Sequence, residues 1–154
     1  MNKDIQIIRE VSATAESDAF YEKAEQLGQH AAHALKASHR SQLTGLENIA
    51  ESTLKTTDIL DYIKKQTARF PYWRQGFPQA ENPNEGLGES LKHYLEQDLR
   101  TKRDAICNGR LRIGDRTDEE KQYRRRVYLL LMRQLIHQMV VEYEYRISLS
   151  SGSR

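Results

Sequence analysis

The stretch whose reading decides the fold runs from Thr117 to Leu149, TDEEKQYRRRVYLLLMRQLIHQMVVEYEYRISL, and it holds neither proline nor glycine. Thr117 and Glu120 stand three apart ahead of an apolar run, which is the spacing of a capping box: the threonine hydroxyl accepts from the Glu120 amide while the glutamate reaches back. A helix starting near Asp118 and running roughly eight turns is therefore predicted. Tyr123, Val127, Leu130, Leu131, Leu135 and Met139 recur at helical spacing. The stripe then widens, because every position from Val127 to Met132 is apolar, and Ile136, Val140, Tyr143 and Ile147 mark a second face. A helix apolar around most of its circumference must be covered by other helices or by another subunit. This one is expected at the centre of the core, and as a surface for self-association or for protein subunits.

Upstream lies the linker GRLRIGDR, residues 109–116, basic and twice punctuated by glycine. Before it, Leu91, Tyr94, Leu95, Leu99 and Ile106 predict a helix from Gly88 that stops at Asn108-Gly109, a common left-handed terminus. Residues 70–88, FPYWRQGFPQAENPNEGLG, carry three Pro and three Gly and cannot be helix interior. Phe70, Tyr72, Trp73 and Phe77 argue against disorder, so 71–88 is expected to be an ordered loop pinned by its aromatics. Phe20, Ala24, Leu27, Ala31 and Leu35 predict a helix from Ser17 or Asp18 to about Ser38, with a small face that lets a partner helix approach closely. Leu43, Leu46, Ile49, Ala50 and Leu54 predict another over 41–54, which Gly45 weakens by about 1 kcal/mol relative to alanine. Ile59, Leu60, Ile63 and Phe70 predict a third from Thr57 or Asp58. Residues 1–16, with Ile5, Ile7, Ile8 and Val11, read as a docking arm, helix or strand, and 150–154 as a tail that frays. Nothing alternates long enough for a sheet. The fold class is thus all-α, an irregular antiparallel bundle of about five helices with one long aromatic, Pro- and Gly-rich loop and a long C-terminal helix.

A chain of 154 residues makes one domain and buries about 68–70% of its unfolded surface without disulfides or a metal. Hydrophobic residues make up 38%, charged residues 30%, and mean hydropathy is −0.80, so the large apolar residues are concentrated on helix faces. A net charge of +2 does not argue for nucleic acid, but its distribution does more: residues 1–25 carry six acids and three bases, residues 100–133 eleven bases and five acids. Cys107 is the only cysteine, which forbids an internal disulfide and points to a reducing compartment. Charges interrupt every apolar run at the N-terminus, and no run approaches the roughly 20 residues of a membrane span. A cytoplasmic protein with no membrane contact is expected.

The basic run Arg110, Arg112, Arg116, Lys121, Arg124, Arg125, Arg126, joined by Arg100, Lys102 and Arg103, is the strongest candidate site. Arginine grips phosphate bidentately, and clustered cations at a loop and helix start suit a polyanion backbone such as RNA. Arg110, Arg112, Arg116, Arg124 and Arg125 are the expected contacts, with Trp73 of the aromatic loop as a base-stacking surface. The competing readings are a solvated face paired with Asp115, Asp118, Glu119 and Glu120, and a loop anchored to the core by Trp73. Histidines converging from separate helices build metal sites, and His33, His93 and His137 are the alternative set, for a small metal-dependent enzyme. No HExxH, Cys cluster, phosphate loop or Ser-His-Asp pattern accompanies them. The reading calls for no cofactor and no catalytic residue.

The segments DYIKKQTARF, EGLGESLKHYL and YRRRVYLLLMRQLIHQMVVEY, in that order, resemble the small all-helical subunit of type III CRISPR effector complexes. The likeness covers at most the second half of the chain; the basic linker and the long aromatic loop depart from it. It implies a non-catalytic subunit that stacks along an assembly and supports guide and target RNA through basic residues.

Overall fold

The computed structural model of the chain describes residues 2–152, and all its regular structure is helical: α1 Lys3–Ala15, α2 Asp18–Leu35, α3 Arg40–Ser52, α4 Thr56–Arg69, a 3-10 turn Pro71–Arg74, α5 Leu87–His93, a π-turn Tyr94–Asp98, α6 Leu99–Asn108 and α7 Asp118–Gly152. α5, the π-turn and α6 follow one another without a gap, so the described residues make six helical rods. The one beyond the expected five is the arm. In α1, Ile7, Val11 and Ala15 stand four apart and are buried, whereas Ile5 and Ile8 are 49% and 51% exposed. Only one of the three isoleucines docks.

The capping box is present as read: Glu120 N donates to Thr117 Oγ1 at 3.1 Å, and Thr117 N donates to the Glu120 carboxylate at 3.2 Å. α7 runs 35 residues, past the expected end at Leu149 to Gly152, since no breaker precedes that glycine. Of the tail 150–154, residues 153–154 lie outside the described residues. Val127, Leu131, Met132, Leu135, Ile136, Met139 and Tyr143 of α7 have no exposed surface. The chain supplies the cover itself, with α1, α2, α3, α4 and α6 all packed on α7.

Polar contacts fix the directions. Asp4 pairs with Arg126, and the Ala15 carbonyl accepts from Gln138, so α1 runs parallel to α7. Arg40 pairs with Glu144, His137 lies 3.5 Å from Glu47, and Arg133 donates to the carbonyls of Ala50 and Thr53, so α3 runs antiparallel. Those Arg133 bonds also satisfy carbonyls that the end of α3 leaves without helical partners. α2 approaches closely through Ala24, Gly28 and Ala31, where a Cβ on Gly28 would stand 2.6 Å from the Met139 carbonyl oxygen. The glycine that weakens α3 has its own reason: Tyr62 donates to the Gln42 carbonyl at 2.6 Å, and its hydroxyl lies 2.5 Å from where a Gly45 Cβ would stand.

The loop between α4 and α5 is tied at both ends and in its middle. Phe70, ahead of Pro71, takes extended dihedrals and ends α4. Leu87 N donates to the Gln75 carbonyl at 3.1 Å, and Phe77 N to the Pro83 carbonyl at 3.1 Å. Among the described residues no helix is long and apolar enough to cross a membrane.

Candidate polyanion-binding surface

The linker between α6 and α7 is held by two oppositely charged side chains from the first two turns of α7. Glu120 accepts from the amides of Gly114 at 2.6 Å, Thr117 at 3.2 Å and Arg116 at 3.3 Å. The Thr117 and Gly114 amides hold its carboxyl below the usual carboxylate range. One turn on, Arg124 donates to the carbonyls of Gly114 at 2.7 Å and Ile113 at 2.8 Å, to Asn108 Oδ1 at 2.6 Å and to Asp104 at 3.2 Å. Its side chain is only 16% exposed. Leu111 and Ile113 are buried, and Ile113 N donates to the Cys107 carbonyl at 2.8 Å. Between them Arg112 takes φ 51°, the left-handed conformation expected at Gly109, which instead has φ −84°. A non-glycine residue is strained there by roughly 1–2 kcal/mol. Burial of both neighbours offsets that cost and turns the arginine outward.

These bonds sort the basic residues. Arg124 is part of the scaffold, with four of its five N–H donors taken inside the protein, so its reading as a free phosphate contact gives way to one as the anchor of the linker carbonyls. Arg100 and Arg103 lie over the Tyr128 ring, Arg126 pairs with Asp4, and Arg133 caps α3. Lys102, Arg110, Arg112, Arg116, Lys121 and Arg125 make no side-chain hydrogen bond or ion pair among the described residues; Asp115, Asp118, Glu119 and Glu120 form no ion pair there with an arginine side chain, and Asp104 is taken by Arg103 and Arg124. Arg125 and Lys121 line a groove of about 580 Å³ with Arg103, Asp104, Asn108, Gly114, Asp115 and Arg124 itself. Arg110 lies in a different groove, of about 340 Å³, against Gln6, Arg9 and Glu10 of α1. Arg112 and Arg116 are exposed on the linker and line neither groove. The five expected arginines thus share one loop and helix start, but not one pocket.

Trp73 offers no ring to a base. It has no exposed surface, and its Nε1 donates to Gln42 Oε1 at 2.6 Å. That indole is too large to leave outside once Gln42 supplies an acceptor within the core. Phe77 is likewise occupied, against His30 and His33 at ring-centroid distances of 5.6 and 5.4 Å. Arg74 donates to the Thr67 and Ala68 carbonyls at the end of α4.

His33, His93 and His137 do not come together. His33 is 3.3 Å from the Gln75 side-chain amide, His93 is 2.6 Å from Glu85, and His137 is 3.5 Å from Glu47. No group of three or more His, Cys, Asp or Glu placed to hold a metal ion occurs among the described residues. His30, buried to 2% exposure, donates from Nε2 to the Gln75 carbonyl at 2.8 Å. Burial pushes its pKa down, against the upward pull of that bond. The Cys107 thiol is buried and pushed up by desolvation, the setting of a packing residue rather than a nucleophile.

No protein-family model, curated protein or solved structure matches the chain.

Proposed function

We propose that this chain is a non-catalytic helical interaction module whose α6–α7 end lies against a polyanion, single-stranded RNA being the class that fits. The observation that carries the reading is that six cations, Lys102, Arg110, Arg112, Arg116, Lys121 and Arg125, have no side-chain partner among the described residues, five of them on or beside a linker whose backbone Glu120 and Arg124 already hold. A linker backbone that is already held need not be ordered when its cations meet phosphate, so only the side chains lose freedom on binding. Lys121 and Arg125 line one groove, Arg110 another, and Arg112 and Arg116 stand exposed on the linker, a spread that suits an extended backbone better than a compact anion. The resemblance to the small type III CRISPR subunit points the same way. A protein-facing side is supported by Val141 and Tyr145, 54% and 55% exposed, and Leu149, 49% exposed, which stand four apart on one face of α7.

The test is the salt dependence of RNA binding, with Arg112, Arg116 and Arg125 replaced together by glutamine and Arg124 left in place. Each lost phosphate contact should flatten log Kd against log salt by about 0.7 for a single strand, so the triple variant should lose about two units of slope. An unchanged slope, or no wild-type affinity at low salt, would return the arginines to a solvated face.

A further inference from the structure

On the α2–α3 side of the molecule, three rings and a guanidinium form a continuous ladder. His39 and Tyr72 lie 3.7 Å apart between centroids at an interplanar angle of 8°, Tyr72 and Phe70 lie 5.3 Å apart at 19°, and Arg69 Cζ stands 5.2 Å from the Phe70 centroid. The rungs come from separate segments: His39 from the turn before α3, Arg69 and Phe70 from the end of α4, and Tyr72 from the 3-10 turn. Phe70 leaves the helix in an extended conformation ahead of Pro71, and that reversal lays Tyr72 back beside it. Gln42 fixes the assembly, donating from its amide to the Tyr72 hydroxyl while its carbonyl oxygen accepts from Trp73. The three rings are half-buried, Arg69 is exposed, and its guanidinium makes no hydrogen bond or ion pair among the described residues.

We propose that this ladder is a nucleobase-stacking platform, the base lying on Arg69 as the next rung and the unpaired N–H donors of the guanidinium meeting the attached phosphate. Arginine planes and aromatic faces are how unpaired bases are held, and with the rings behind the guanidinium already stacked, only the Arg69 side chain has to be ordered when the base arrives. The inference deepens the polyanion reading and rests on it for the ligand class, adding a contact to the base where the linker offers only contacts to phosphate. The two lie apart. Arg40 pairs with Glu144 and Tyr143 donates to the Lys36 carbonyl, which anchors the ladder end beside a part of α7 twenty residues beyond Arg124, about 30 Å at 1.5 Å per residue.

The experiment follows the Arg69 Nε–Hε and Phe70 ring resonances by NMR during titration with adenosine 5′-monophosphate or with ribose 5-phosphate, which has the same charge and no base. In parallel, the affinity of a twelve-nucleotide RNA is compared with that of an abasic strand of equal length. The nucleotide should shift both resonances upfield, the sugar phosphate should not, and the RNA should bind roughly 5- to 150-fold tighter than the abasic strand. Arg69→Lys keeps the charge and loses the plane, so it should abolish the upfield shift and the preference for bases while the salt slope stays as in the wild type. The linker triple variant should do the reverse. Upfield shifts with the nucleotide but equal affinity for the two strands would support the ladder with a free nucleotide as its ligand. Equal effects of nucleotide and sugar phosphate, or an Arg69→Lys variant that behaves as wild type, would overturn the platform and leave the linker reading intact.

Discussion

Arg124→Ala should destabilise the protein by about 3 kcal/mol, although the residue reads in the sequence as one of three exposed arginines in a row. The side chain gives hydrogen bonds to the carbonyls of Ile113 and Gly114, to Asn108 and to Asp104. A bond from a charged donor contributes about 1.5–3 kcal/mol net. The Asp104 side chain is 46% exposed, so that ion pair counts for less than about 1 kcal/mol, and exposed Asn108 recovers its bond from water. The two carbonyls, part-buried in a folded linker, lose donors they cannot readily replace, which sets the figure near the lower value for each. In a chain of 154 residues, 3 kcal/mol lowers Tm by about 6–12 °C. Urea unfolding followed by the fluorescence of Trp73, the only tryptophan, should show a lower midpoint at unchanged m. The control is Arg125→Ala, which should stay within about 0.5 kcal/mol of the wild type. If the two variants unfold together, Arg124 is a surface residue and the account of the linker scaffold fails.

Stability should also fall on mild acidification because of His30: the unfolded chain takes up its proton near pH 6.5, whereas the folded one resists it, so this contribution is complete above about pH 6.5 and is lost as pH drops below it. Lys23 and His33 on α2 oppose the protonated ring and Glu85 from the loop favours it; amide exchange over residues 75–87, corrected for intrinsic rates, should rise between pH 7 and pH 5, and His30→Gln should remove that rise. Leu131→Asp places an unpaired carboxylate where the side chain has no exposed surface, and circular dichroism should show an unfolded chain at every salt concentration.

What could be read from the sequence was what is encoded at short range. The Thr117–Glu120 box and the apolar crowding of residues 127–132 are local patterns, and both positioned α7 correctly. The box marks Glu120 as a cap for Thr117 but not as an acceptor for the Gly114 amide, and Arg124 differs from Arg125 only in which linker atoms it meets, with nothing in its own neighbourhood to distinguish it. Trp73 is a comparable case: its partner Gln42 lies 31 positions away on another helix, so the aromatic loop's composition left a base-stacking indole open beside the reading of a core anchor. The docking arm was ambiguous because four apolar residues over seven positions satisfy both helical and extended spacing; the buried Ile7–Val11–Ala15 series decided it only in three dimensions. The histidines looked like a set because each sits on a separate helix, but separate helices need not turn them toward one point.

Gly28 has a consequence for descent as well as for packing. Its absent Cβ lets the α2 backbone reach the Met139 carbonyl and the Glu142 stem, and any larger residue there must push α2 off α7 and reopen the core. Arginines of the linker can be exchanged for lysines or shifted by a position at little cost to the fold, so sequence drift should erase the surface first. Diverged members of the same lineage would then share a glycine in the second helix facing a long terminal one, framed by small residues at Ala24 and Ala31, long after their charged loops had ceased to align.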